Sequence, residues 1–174
     1  MNTIRKAIKD CSRNWRALAV PAAMIMAVTA PATAAQAASQ QDWRVTGTVV
    51  FDMMDYETFG ANERCRHNVP ISNKGRVGGP SVNYWYFGKC GGEIRTEIHY
   101  RLTRGSAGTV TVDNISIPFF EGATANTTDR DGWATIRPFI IWPGQSITKQ
   151  VRVQNDAEDQ PDDRTIVTFT LRNW

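Results

Sequence analysis

An all-β sandwich is the fold class this sequence predicts, and three observations predict it. Period-two alternation recurs from residue 43 to the C-terminus, and Gly, Pro, Asn and Asp punctuate it at intervals of roughly ten residues. No ten-residue window after Ala38 shows a helical period. The expected form is an immunoglobulin-like or related antiparallel β-sandwich of seven or eight strands with one disulfide; a jelly roll or a small barrel is the alternative.

The domain begins after a targeting segment. Arg5, Lys6, Lys9, Arg13 and Arg16 form a positive start, residues 17–30 an apolar stretch, and Ala35-Gln36-Ala37 a small-x-small cleavage site. The apolar stretch is shorter than the roughly 20 residues a spanning helix needs, and Pro21 interrupts it. We therefore read residues 1–37 as a secretory signal peptide, bacterial in style, and residues 38–174 as a single domain, secreted and without a membrane span once cleaved. The leader holds five of the chain's 20 Lys and Arg and one of its 17 Asp and Glu. The mature charge is then about −1, which removes the case for a nucleic-acid partner. Cys65 and Cys90 are the two cysteines left, and an even pair in an exported chain predicts a disulfide.

The strands follow in order. Trp43, Val45, Gly47, Val49, Phe51 and Met53 share one parity and give a long first strand. Residues 55–79 read as an irregular polar loop tethered by Cys65, and a stretch of that length is either a functional loop or holds a short strand around residues 69–72. Residues 82–102 read as a hairpin turning at Cys90-Gly91-Gly92. In its second arm Ile94, Thr96, Ile98, Tyr100 and Leu102 face the core, while its first arm carries rings on both faces. Over residues 109–117 the apolar parity switches between Val112 and Ile115, which predicts a bulge near Asp113-Asn114. Pro118 is expected to end the pairing or to lie on a sheet edge. Residues 133–142 form the next strand, interrupted by Pro138, and Pro143-Gly144 turns the chain. Residues 146–154 alternate, though Lys149 breaks the apolar side. After an acidic turn at residues 155–163, Val167, Phe169 and Leu171 point one way in the last strand.

Chemistry-bearing groups are few. The mature chain has two histidines, His67 and His99, and no Gly-x-Ser-x-Gly elbow, so no catalytic residues are assigned. The leading expectation is a secreted, non-catalytic binding module for an extracellular protein or a glycan, inhibitor-like or carbohydrate-recognising. Tyr84, Trp85, Tyr86, Trp133 and Trp142 would be its ligand-binding residues, since exposed rings stack on sugars or anchor partners at low entropic cost. One alternative is a small extracellular hydrolase with paired carboxylates drawn from Glu93, Glu97 and Asp131. The other is a calcium-dependent structural or adhesion module. Asp156, Glu158, Asp159, Asp162 and Asp163 crowd one connection, and Asp129 and Asp131 another; hard oxygen ligands at such density suit calcium, the one cofactor considered.

Within residues 143–172, a Pro-Gly turn, an alternating strand ending Val151-Arg152-Val153, the Asn155-Asp156 acidic connection and a Phe169-x-Leu171 strand follow one another. This stretch resembles the closing strands of Calx-beta and related immunoglobulin-like extracellular modules. The resemblance covers about 30 of the 174 residues. It implies a sandwich, and calcium at the acidic connection.

Overall fold

Alternate side chains build the sandwich strand by strand. The computed structural model describes residues 42–57, 60–76, 78–157 and 163–174; the expected signal peptide lies outside them. Among the described residues nine strands form: β1 (Trp43–Asp55), β2 (Glu63–Gly75), β3 (Val82–Cys90), β4 (Ile94–Arg104), β5 (Val110–Phe120), β6 (Arg130–Ile136), β7 (Phe139–Ile141), β8 (Ser146–Gln154) and β9 (Arg164–Asn173). The first sheet has the order β2-β1-β9-β8. The second has β3-β4-β5-β6, with β7 also paired to β5. All these pairings are antiparallel. Two separate layers of this kind make a β-sandwich, as expected, with more strands than the seven or eight anticipated. Among the described residues no helix is long and apolar enough to cross a membrane.

The core lies between the layers, and the predicted parities fill it. Val45, Val49, Phe51, Val167, Phe169 and Leu171 from the first sheet meet Ile94, Ile98, Tyr100, Leu102, Ile117 and Phe119 from the second, all essentially inaccessible. Such burial is the main favourable contribution to the fold, at roughly 25 cal/mol per Å² of apolar surface. The bulge is present. Asn114 adopts a positive φ of 51° and the β4–β5 register shifts there, so Val110 and Val112 on one side and Ile115 and Ile117 on the other all turn inward.

Polar bonds and one covalent bond cross the gap. Asn73 of β2 donates through Nδ2 to the Tyr100 hydroxyl (2.7 Å) and accepts through Oδ1 from the Tyr86 hydroxyl (3.1 Å). Burial pushes the Tyr100 hydroxyl well above its ordinary pKa, so it stays neutral. Thr96 and Thr165 share a bond of 2.6 Å between β4 and β9. The Cys65–Cys90 disulfide ties β2 to β3.

Four local expectations are corrected. Residues 55–79 are not mainly a loop: β2 runs 13 residues beside β1. Its inward positions are Cys65, His67, Val69, Ile71 and Asn73, and the two polar ones hid the alternation. Pro70 is tolerated because β2 is an edge strand. Pro118 neither ends pairing nor sits on an edge. It lies inside β5 with Trp133 as its β6 partner, and the β4 ladder steps across it between Ser116–His99 and Phe119–Thr96. The segment 133–142 is two strands, because Arg137-Pro138 breaks it; β6 and β7 pair with successive parts of β5. Lys149 keeps the inward parity of β8 by laying its ammonium 5.5 Å from the Phe139 ring centroid.

Candidate functional site

Strand alternation sends every second residue of β3, β4, β5 and β6 outward, and register lines them up across the sheet. Trp85 pairs with His99, His99 with Ser116, and Ser116 with Thr135. The next row holds Phe87 opposite Glu97, and Pro118 opposite Trp133. The outer face of the second sheet thus carries a groove with an indole toward each side: Trp85 is 56% and Trp133 47% exposed. Two depressions of about 830 and 520 Å³ make it up, joined through His99, Ser116 and Trp133, which line both. Three strand spacings separate β3 from β6, so the two rings are set on the order of 15 Å apart.

The floor between the rings is a chain of fixed groups. Arg95 donates to the Ala125 carbonyl (2.6 Å) and the Thr127 carbonyl (2.9 Å) and lies 4.2 Å from the Phe120 ring centroid. It also donates through Nε to Glu97 (2.8 Å). The other Glu97 oxygen accepts from His99 Nε2 at 2.6 Å. His99 in turn stacks on Trp85 with centroids 6.2 Å apart, and Trp85 on Phe87 at 5.5 Å. Across the groove Arg130 lies 4.8 Å from the Trp133 ring centroid. Each link removes rotamer freedom from the next, so the rings are held before any ligand arrives. Asn114, turned out by the bulge, adds an exposed amide at the rim.

Of the five aromatic residues singled out in the sequence, the structure brings together three. Trp85, Trp133 and Tyr84 line the groove, the two indoles as its exposed rings. Tyr84 and Tyr86 lie on the inner parity of β3, half-buried; their rings sit beside Tyr100 and their hydroxyls bond the Lys74 carbonyl and Asn73. Trp142 is 58% exposed, but it follows β7 beside Gln145 and lines neither depression. Sequence reasoning passed over Phe87 as a site residue, although it has the parity of Trp85. It also passed over Arg95, Glu97 and His99 as a connected set, which only cross-strand register joins.

The three carboxylates considered for hydrolysis lie apart. Glu97 is in the groove. Glu93 stands in the β3–β4 turn, and the Asp131 carboxylate accepts the Glu121 N–H (3.0 Å) in a separate hollow with Asn155. The acids considered for calcium divide as well. Glu158, Asp159 and Asp162 lie outside the described residues. The Asp156 N–H bonds the Asp131 carbonyl (2.7 Å), so the two acidic loops do meet. Asp129 and Asp156 are exposed, whereas Asp163 is buried and accepts the Tyr56 N–H at 2.7 Å, beyond the end of β1. There it neighbours Asp55, which the sequence did not single out. Burial, followed by the charges of Asp163, Glu57 and Glu93, pushes the Asp55 carboxyl up to about 7.

Comparison with known protein families and with curated proteins found no match to this chain. The likeness of residues 143–172 to Calx-beta modules therefore rests on its own residues.

Proposed function

We propose that this protein is an exported module that binds a glycan along the groove of its second sheet, without turnover. The observation that carries the reading is the pair of exposed indoles, Trp85 and Trp133, set at the two sides of a polar floor. A sugar ring offers an apolar C–H face to an indole and hydroxyls to the groups around it, which is the alternation this groove presents. His99, Glu97, Ser116, Asn114 and Thr135 supply donors and acceptors within that floor. The separation of the rings favours an oligosaccharide over a single sugar. Binding rather than hydrolysis is supported by Glu97, whose two oxygens are engaged by Arg95 and His99. A protein partner would gain more from a contiguous apolar patch than from rings divided by hydrogen-bonding groups.

A glycan array probed with the purified protein tests the proposal. Retention of one oligosaccharide class is expected, lost in Trp85→Ala and in Trp133→Ala and kept in Trp142→Ala. Binding that survives loss of both groove indoles, or release of cleaved sugar from the bound glycan, would overturn it.

A further inference from the structure

The end of the sandwich that carries the disulfide also gathers acids. Asp55 closes β1, Glu57 follows two residues on, and Glu93 stands in the β3–β4 turn. One carboxylate oxygen from each lies within 4.8 Å of the others. Oxygens that share one calcium at about 2.4 Å are at most about 4.8 Å apart, so the three meet the reach of a single ion.

Acidic groups of this sort are common on protein surfaces, but Asp55 sets this one apart. It is 3% exposed, and its Oδ2 has no hydrogen-bond partner among the described residues. The neighbouring turn is shaped around that oxygen. Gly91 has a φ of 64°, and a Cβ there would overlap Asp55 Oδ2. The charges that bear on Asp55 are those of Glu57, Glu93 and Asp163, all of its own sign. Asp55 Oδ2 has no donor among the described residues, and the side-chain hydrogen bond the carboxyl does make is with Asp163, a second acid. The group is therefore stable only when neutralised, and a cation does this for all the carboxylates at once.

We infer that Asp55, Glu57 and Glu93 form a calcium site that joins the end of β1 in the first sheet to the β3–β4 turn of the second, beside the Cys65–Cys90 disulfide. Asp163 supports it from behind by holding the Tyr56 N–H, which fixes the backbone leading to Glu57. The ligands are all hard oxygens, since the nearby sulfurs are committed to the disulfide. Three carboxylates drawn from the end of β1 and from the β3–β4 turn suit the irregular, high coordination of calcium better than the strict octahedron of magnesium. The site is distinct from the loops carrying Asp129, Asp131 and Asp156, and it does not depend on the glycan reading.

Titration calorimetry and thermal melts of the chelator-stripped protein, with calcium or magnesium chloride as probe, decide the matter. Expected are one calcium per chain, a rise of several degrees in melting temperature and a much smaller response to magnesium. The rise should vanish in Asp55→Asn. It should also vanish in Glu93→Gln, an exposed turn position where the substitution leaves the fold intact, and persist in Asp129→Asn with Asp156→Asn. Absence of any calcium heat or melting shift, an equal response to magnesium, or a calcium shift that survives Asp55→Asn with Glu93→Gln would each overturn the inference.

Discussion

The two outer faces of the sandwich meet the same solvent with opposite side chains. On the first sheet most outward positions along the strands are polar or charged, with Ile166 an exposed exception, and they satisfy one another: Thr148 bonds Thr170 (2.9 Å), Gln150 bonds Thr168 (3.1 Å) and Arg66 bonds Asp52 (3.0 Å). The exposed indole beside them, Trp174 after β9, is tied down by its bond to Thr46 (2.6 Å) and by Arg172 over its ring. On the second sheet the equivalent positions hold Trp85, Phe87 and Trp133, with Glu97 and His99 between them. The first face shows what a solvated sheet needs in order to fold: β-propensity and cross-strand bonds. Exposed indoles go beyond that need, because side chains left in water gain little hydrophobic free energy. The difference is why the second face, and not simply any aromatic residue, is assigned the binding role.

Several changes would break or sharpen that contrast. The largest effect should come from the link both faces share. Replacing Cys65 and Cys90 with Ala releases a loop of 25-residue separation, and the chain-entropy model puts the loss at roughly 3.5 kcal/mol. Denaturant melts should show that loss, while the groove's preference among glycans stays as it was.

Next is the pH response of Asp55, measured in chelator. Its native carboxyl titrates near 7 against an ordinary 3.8. Between these values the folded protein holds a proton that the unfolded chain has released, so stability falls as pH rises through that window and levels off above it. Asp55→Asn should flatten this part of the profile, and a wild-type profile that is already flat would refute the assignment.

Exchanging the faces' side chains probes the contrast itself. Trp85→Thr with Trp133→Thr makes the second face resemble the first. Glycan affinity should fall about tenfold or more, as for removal of central anchors, while stability changes by less than about 1 kcal/mol. A large loss of stability would mean that the indoles serve the fold after all. The smallest effect is expected on the opposite face, where Thr148→Val with Thr170→Val should move stability by about 0.5 kcal/mol or less and leave glycan binding unchanged.

Much of this was legible along the chain because strand alternation is a local code. The parities of residues 43–53, 94–102 and 167–171 named the inward residues, the switch between Val112 and Ile115 marked the bulge, and an even pair of cysteines after residue 37 marked the disulfide. The reading failed where context overrode a residue's usual meaning. In β2, His67 and Asn73 face inward because the Lys89 carbonyl and Tyr100 give them partners from the other sheet. At Pro118 the neighbouring residues hold the strand together across a missing donor.

The amino-acid order by itself determined the class of fold, the inward face of most strands and the inventory of rings and acids, since each depends on neighbours within a few residues. Which rings share a face with which polar groups, and which carboxylates converge, was decided only by the tertiary structure. Trp85 and Trp133 are 48 positions apart, and the β3-β4-β5-β6 order brings them to one groove. Asp55, Glu93 and Asp163 come from three distant segments, and they meet because the closing of the two sheets places the end of β1, a hairpin turn and the start of β9 at the same end of the sandwich.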